Sequence, residues 1–230
     1  HFDKDNELSK MLSMSGQKDL LEELKYEDMD ISFYYTRQSY PAGLGHAVRC
    51  AKDFVGNDPV IIALGDSIIH SKENKILLRR MLDQFEKDQE SFVIATREVP
   101  LESVHRYGIV EPVAESKGGI SQIKALVEKP SMQTAPSTQA VAARYIMPSR
   151  IFDAIDRTSP GKGGEIQLTD SIGLLLKEGG KGYAVSLSDR EKRYDIGNFQ
   201  SYYEAFLDFA LEDERYGYQL KQYIMQKLGL

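Results

Sequence analysis

Pro59-Val60-Ile61-Ile62-Ala63-Leu64-Gly65-Asp66 is the stretch from which the fold can be read. Five consecutive apolar residues between a proline and a Gly-Asp pair have the length and composition of a strand covered on both faces of a sheet. Open α/β sheets bind ligands outside the carboxyl ends of their strands, and Asp66 would stand at such an end. Gly65 leaves the backbone beside it bare, so a ligand can approach closely. Taken alone, a Gly-Asp pair after a strand serves equally well as a turn or a helix cap.

Working outward, Ile31–Thr36 is rich in β-formers and reads as a strand. It runs into a loop punctuated by Pro41, Gly43 and Gly45, then a helix from about His46 to Phe54. After the central strand, Ile76, Leu77, Met81, Leu82 and Phe85 recur at helical spacing within Glu73–Lys87, and Ser91–Thr96 is the next strand. This alternation predicts parallel pairing through right-handed crossovers, hence an α/β, doubly wound, mostly parallel sheet.

Beyond Glu98 the rhythm changes. Tyr107–Val113, Ile120–Val127 and Gln139–Met147 read as strands with little helix between them, and Lys117-Gly-Gly119 has the form of a hairpin turn. Antiparallel strands are therefore expected to join the sheet, making it mixed. A short helix starts near Ser149, a longer one runs through Leu176 to Gly179-Gly180, and Gly182–Leu187 is a strand. Asn6–Leu24 carries one or two short amphipathic helices, and two helices close the chain over 199–230. No repeat or linker interrupts the chain, so residues 1–230 read as a single domain.

The 230 residues are 41% hydrophobic and 28% charged, enough to bury a core. A net charge of −6 without a dense Lys/Arg face argues against a nucleic-acid polymer as partner, though not against a small anionic ligand. Cys50 is the sole cysteine, which excludes an internal disulfide and fits a reducing compartment; its apolar setting reads as core packing. No apolar run reaches membrane-spanning length and the first twenty residues are polar, so the expected location is cytoplasmic.

Four places put a glycine or proline beside a polar group at a predicted element end: Gln38 with Gly43-Leu-Gly45-His46, Gly65-Asp66, Glu128-Lys129-Pro130, and Asp195-Ile-Gly197. Gly43-Leu-Gly45 before a helix is either a phosphate cradle or a tight turn; it lacks the third glycine of a dinucleotide fingerprint, and no P-loop occurs. Asp66 and Asp195 together would suit Mg²⁺, which keeps part of its water and adds phosphate oxygens; separately they are turn residues. Lys129, fixed at a strand end before a proline, is either a point charge for a phosphate or a solvated side chain, and Lys192 and Arg193 share that ambiguity. The aromatic tail (Tyr202, Tyr203, Phe206, Phe209, Tyr216, Tyr218, Tyr223) reads as a helix-packing face, and could also meet another subunit.

Taken together, Gln38-x4-Gly-Leu-Gly-His-Ala-Val48, Leu64-Gly-Asp66, Tyr107-Gly-Ile-Val110, Val127-Glu-Lys-Pro130, Gly164-Glu-Ile-Gln-Leu-Thr-Asp170 and Tyr194-Asp-Ile-Gly-Asn198 resemble, in order and spacing, the bacterial UTP–glucose-1-phosphate uridylyltransferases (UDP-glucose pyrophosphorylases). The resemblance covers nearly the whole chain. It implies a Rossmann-like nucleotidyltransferase fold and the joining of UTP and glucose 1-phosphate into UDP-glucose and pyrophosphate with Mg²⁺. It also implies roles by position. Gln38, Gly43 and Gly45 belong to the nucleotide site, with Gln38 and Gly43 against the uracil. Asp66 and Asp195 hold the metal. Tyr107, Gly108 and Glu128 meet the sugar, Lys129 its phosphate, and Lys192 adds a second phosphate contact. Asp66, Lys129 and Asp195 are the catalytic set.

One departure bears on activity. The family's opening Gly-x-Gly-Thr-Arg loop and the Pro-Lys-Glu after it occur nowhere here, and the chain begins His1-Phe-Asp3 without an initiator methionine. The resemblance then implies an N-terminally incomplete domain, with an apolar unpaired edge, weak nucleotide binding and slow or no turnover. The competing expectation is a non-catalytic module that binds a sugar nucleotide or a partner chain. A metal-dependent glycosyltransferase would want Asp-x-Asp at the strand end, and Leu64-Gly-Asp-Ser67 lacks the second carboxylate. Transfer of another nucleotidyl group to another sugar phosphate would use much the same skeleton.

Overall fold

The computed structural model describes residues 5–24, 31–72 and 76–229, and the chain falls into two compact units, His1–Arg37 and Gln38–Leu230. In the first unit, helix α1 (Asn6–Met14) begins where the Asp5 carboxylate accepts from the N–H groups of Glu7 and Leu8 at 3.1 and 2.9 Å, an N-cap. Helix α2 (Lys18–Glu23) follows, so the two short helices expected before Leu24 are present. The strand expected at Ile31–Thr36 is not: these residues belong to no sheet among the described residues. β-branched and aromatic side chains favour a pleated conformation only where a ladder and a packing face are supplied, and Ile31, Tyr34 and Tyr35 are exposed instead.

The second unit opens with α3 (Leu44–Arg49) and α4 (Lys52–Val55), two short helices where one was expected. Strands β1 (Val60–Ala63) and β2 (Ser67–Ser71), helix α5 (Leu77–Phe85) and strand β3 (Phe92–Glu98) come next; residues 73–75 of the predicted helix lie outside the described residues. A 3-10 turn, Leu101–Arg106, leads to β4 (Gly108–Pro112), β5 (Ile120–Glu128) and β6 (Gln139–Met147). Helices α6 (Ile151–Arg157) and α7 (Leu168–Lys177), strands β7 (Gly182–Ser186) and β8 (Glu191–Asp195), and helices α8 (Phe199–Glu212) and α9 (Gly217–Leu228) complete it.

Six strands form the main sheet in the order β1-β6-β3-β7-β5-β4. β3 and β7 pair in parallel and the other neighbours are antiparallel, so β1, β3, β4 and β7 point one way and β5 and β6 the other. The mixed α/β sheet is therefore present, with one correction to the parallel pairing expected from the alternation: among the described residues it is confined to β3 and β7, and β1 and β3 share a direction but do not pair, because the long apolar β6 lies between them. The β4–β5 hairpin closes through Lys117-Gly-Gly119, where Lys117 and Ile120 form an isolated bridge.

Alternate residues of β3 show how both faces are covered. Phe92 and Ile94 pack with Phe152 and Ile155 of α6 and Ile172 and Leu175 of α7. Val93 and Ala95 pack with Leu77, Met81 and Phe85 of α5 on the other side. Side chains on a strand point alternately, so a run of apolar residues fills two cores at once. β1 differs from its sequence reading here. It pairs only with β6, as an edge strand, and Ile62 is buried while Ile61 is 46% exposed.

A second sheet was not expected from sequence. β2 and β8 form a two-stranded antiparallel ribbon that sets Ser67 opposite Asp195 and Ser71 opposite Glu191. Arg80 of α5 anchors the ribbon by an ion pair with Glu191 and a 3.0 Å hydrogen bond to the Ser186 carbonyl. Asn198 then caps α8, its Oδ1 accepting from the Ser201 N–H at 3.1 Å. Within α8 and α9 only Ala205 and Gly217 are buried, and Phe199 and Phe206 are 80% and 63% exposed. The aromatic tail is therefore not an internal packing face, apart from Phe209, whose ring lies 5.3 Å from both Tyr194 and His70. No helix among the described residues is long and apolar enough to cross a membrane.

Candidate active site

The ribbon is what brings the two distant aspartates together. Asp66 lies in the turn between β1 and β2, and Asp195 is the last residue of β8. Their strands are in register from Ser67 and Asp195 onward, and the Ile196 N–H donates to the Asp66 carbonyl at 2.8 Å. A Cβ placed on Gly197 would lie 3.2 Å from Asp195 Oδ1 and 3.6 Å from Asp66 Oδ2. Both carboxylates therefore border one gap, and the bare glycine keeps it clear. Gly65 faces open space on the approach to Asp66.

Two arginines hold this geometry from behind. Ala143 in β6 adopts φ 59, a left-handed conformation costly for a residue with a Cβ, at the place where the β3–β6 register shifts. The kink turns Arg144 toward the Gly65-Asp66 turn. Its Nη1 donates to the carbonyls of Leu64 at 3.2 Å and Ala143 at 2.9 Å, and its Nη2 to that of Ser67 at 2.7 Å. The Arg144 guanidinium thus fixes the chain on both sides of Asp66. Arg193, one residue beyond Lys192 on β8, donates from Nε to Ser67 Oγ at 2.7 Å and sits 3.5 Å from Asp195 Oδ2.

The residues expected to meet the sugar come together at the ends of β4 and β5. Gly108 faces Glu128 across the β4–β5 ladder, and a Cβ on Gly108 would lie 3.3 Å from Glu128 Oε2. The Lys129 N–H donates to the Tyr107 carbonyl at 3.0 Å, and Lys129 itself adopts φ 45. A strained lysine ahead of a proline costs on the order of 1–3 kcal/mol and persists only where its surroundings impose it. Its ammonium is largely exposed and 3.6 Å from Glu128 Oε1. Thr169, which the sequence reading did not single out, donates to Glu128 Oε2 at 2.7 Å and orients that carboxylate.

The nucleotide-loop candidates are joined to the same region through one segment. Gly43 has φ 94, and a Cβ there would meet the Ile166 carbonyl at 2.5 Å; on Gly45 it would meet Ile166 Cγ2 at 2.8 Å. The Gly45 N–H donates to the Ile166 carbonyl and the Ile166 N–H to that of Ala42, both at 2.8 Å. These glycines thus let α3 lie directly on the backbone that opens α7, which favours close packing over a cradle built by α3, a helix of six residues. Gln38 is held by its Nε2, which donates to the Gly43 carbonyl at 3.2 Å and lies 2.8 Å from His46 Nδ1. Ile166 and Thr169, three residues apart, therefore connect the Gly43 loop to Glu128.

Lys192 is placed elsewhere. Strand alternation puts it with Tyr194 on the face toward α8, where its ammonium pairs with Asp208 at 2.6 Å and lies over the Tyr194 ring. Arg193 and Asp195 share the opposite face, so the basic residue beside the carboxylates is Arg193 rather than Lys192. Cys50 is half-buried, its thiol donating to the His46 carbonyl.

The electrostatics mark one neighbourhood. Burial, with Glu128 and then Asp66 adding to it, pushes the Tyr145 phenol well above its usual range. Burial and the nearby Arg193 lower Arg144, with Asp66 opposing them. Burial, reinforced by Glu128, raises the Asp170 carboxyl. Among the described residues no cluster of three or more His, Cys, Asp or Glu side chains could hold a metal unaided. The donor set fits a hard divalent ion completed by ligand oxygens: two carboxylates around a gap that a single methyl group would fill.

This fold and this carboxylate pair define a class. Residues 9–212 match the family model described as nucleotidyl transferase, and the chain belongs to that family. Within it, the curated relatives carry a more particular description. A Bacillus subtilis protein named UTP–glucose-1-phosphate uridylyltransferase is 40% identical over 96% of this chain and 73% of its own length. A Staphylococcus epidermidis protein of the same name is 36% identical over 98% and 76%. Among solved structures, the UTP-bound UGPase from Acinetobacter baumannii superimposes with a TM-score of 0.85 at 32% identity, covering 97% of this chain and 76% of that one. A UDP-glucose pyrophosphorylase complexed with UDP-glucose gives 0.80 at 31% identity, covering 92% and 75%. The chain spans about three quarters of the length of these relatives.

Proposed function

We propose that this protein transfers the uridylyl group of UTP to glucose 1-phosphate, releasing pyrophosphate and forming UDP-glucose, with Mg²⁺ held by Asp66 and Asp195. A phosphate oxygen of the sugar phosphate attacks the α-phosphorus of UTP in line, the α–β bridging bond breaks, and pyrophosphate departs with the electron pair. No covalent enzyme intermediate is needed, so the task of the residues is to position anions. Bound between the two carboxylates, the metal would neutralise phosphate charge. Glu128, aimed by Thr169, accepts from sugar hydroxyls beside Gly108 and Tyr107, and the ammonium of Lys129 faces the sugar's phosphate. Gln38 and the backbone at Gly43 and Gly45 are assigned to the base.

The observation that carries this reading is the convergence of Asp66 and Asp195 on the bare Gly197. The names of the relatives support the choice of UTP and glucose 1-phosphate. The family match crosses the division at Arg37, which supports a single catalytic domain. The exposed aromatic residues of α8 and α9 support self-association through those helices, which sedimentation of the protein and of a Phe206→Ser variant would test.

Calorimetric titration of UDP-glucose with Mg²⁺ and with EDTA tests the central claim, alongside pyrophosphate release from UTP and glucose 1-phosphate. Binding is expected to be Mg²⁺-dependent, and Asp66→Asn and Asp195→Asn should each remove that dependence. Binding indifferent to Mg²⁺ in the unaltered protein would overturn the assignment.

A further inference from the structure

Arg80, Arg97, Arg150 and Arg193 each bury a side-chain nitrogen with no hydrogen-bond partner among the described residues, and of these Arg193 is the one beside Asp195. Its side chain is 7% exposed, so its charge is buried. Yet Nε has one neutral partner, Ser67 Oγ, Nη2 is a loose 3.5 Å from Asp195 Oδ2, and Nη1 is buried with no hydrogen-bond partner among the described residues. Burying a guanidinium with an unfilled donor is costly, and a position serving the fold alone is better filled by an apolar side chain.

Its three neighbours explain the placement. Ser67 adjoins Asp66, Asp195 is the other candidate metal carboxylate, and the guanidinium lies 5.9 Å from the centre of the Tyr107 ring. Arg97 lies over the same ring at 5.4 Å and donates to the Tyr107 hydroxyl at 3.1 Å, and Arg106 lies 5.8 Å from the ring centre. A planar fork can bond a hydroxyl, approach a carboxylate and lie near a ring through separate nitrogens, where an ammonium offers a single centre.

We propose that Arg193 is a positioning residue that ties Asp195 to the strand of Asp66, so that the two candidate metal carboxylates are set as one unit. Its effect on the ligand passes through Asp195. The inference rests on the uridylyl-transfer reading above.

The test is UDP-glucose binding measured with Mg²⁺ and with EDTA for the unaltered protein, Arg193→Lys, Arg193→Ala and Ser67→Ala, with thermal melts recorded for each. Partners that orient metal ligands are typically worth about 10–100-fold in metal affinity. Arg193→Lys should therefore lose about tenfold of the Mg²⁺-dependent tightening while its affinity in EDTA stays within about twofold. Ser67→Ala, which removes only the Nε acceptor, should shift the Mg²⁺ dependence in the same direction by less, and serves if Arg193→Ala does not fold. Folded variants with unaltered Mg²⁺ dependence would overturn the positioning role, as would an equal loss in EDTA, which would place Arg193 on the ligand or the fold instead. If the unaltered protein itself shows no Mg²⁺ dependence, the metal reading falls and this role falls with it. That result is distinct from a failure of the variants alone.

Discussion

Replacing Gly197 by alanine separates folding from metal binding more cleanly than removing a carboxylate. Gly197 does not occupy the left-handed region, so alanine can adopt its backbone conformation. Restricting the unfolded chain in this way is worth about 0.4–1 kcal/mol of stability. Against it, the new methyl group would stand 3.2 Å from Asp195 Oδ1, 3.6 Å from Asp66 Oδ2 and 3.8 Å from Asp66 Cβ. One side-chain oxygen must swing by a few tenths of an ångström, which the exposed rim of the gap allows, so net stability should change by less than about 1 kcal/mol. An ion held by both carboxylates, as proposed above, would lose room, because the methyl group would stand within 4 Å of an oxygen of each. An expected loss of about 10–100-fold in Mg²⁺-dependent UDP-glucose affinity corresponds to roughly 1.4–2.8 kcal/mol. The assay pairs a thermal melt with titrations in Mg²⁺ and in EDTA. A Gly197→Ala protein that melts normally and keeps its full Mg²⁺ dependence would show that the two carboxylates do not share an ion.

Other outcomes follow from particular contacts. A Cβ on Gly182 would sit 2.2 Å from the fully buried Phe92 ring, so Gly182→Ala should overpack the core and cost about 1–3 kcal/mol, read from the denaturation midpoint. Lys129→Gly relieves the φ 45 strain, so it should leave stability unchanged or raise it by up to about 1 kcal/mol, while glucose 1-phosphate binding weakens. Asp170 has a folded pKa above its unfolded one, so its contribution favours folding below the unfolded value and is lost as pH rises through the folded value. Asp170→Asn should therefore raise the melting temperature at pH 7.5, and the gain should vanish below about pH 4, where the unfolded carboxyl is also protonated.

Local patterns made most of the second unit legible. Pro59–Leu64 and Ser91–Thr96 were legible as strands from their apolar composition, though only β3 proved buried on both faces and β1 lies at the edge. The hairpin at Lys117-Gly-Gly119 was legible because its turn chemistry is local. The β2–β8 ribbon was not. Ser67-Ile-Ile-His-Ser71 is short and Glu191-Lys-Arg-Tyr-Asp195 is mostly charged, so neither has strand composition until the other pairs with it. Missing the ribbon had a direct consequence: without its alternation, sequence alone could not say that Lys192 faces Asp208 while Arg193 stands beside Asp195. Ile31–Thr36 shows the converse, a segment with strand composition and no sheet to join. The candidate residues Gly43, Gly45 and Gly108 were visible as glycines, but the contacts that crowd them come from Ile166 and Glu128, far away in sequence.

The ribbon also sets an order of assembly. Asp66 leaves the ribosome with well over half the chain still unmade, and its counterpart on β8 emerges only after the main sheet has all its strands. Contacts of such long sequence separation are slow to close, so a nascent or partly folded copy carries one aspartate of the pair without the other. A site that needs both carboxylates is therefore complete only on a nearly finished molecule.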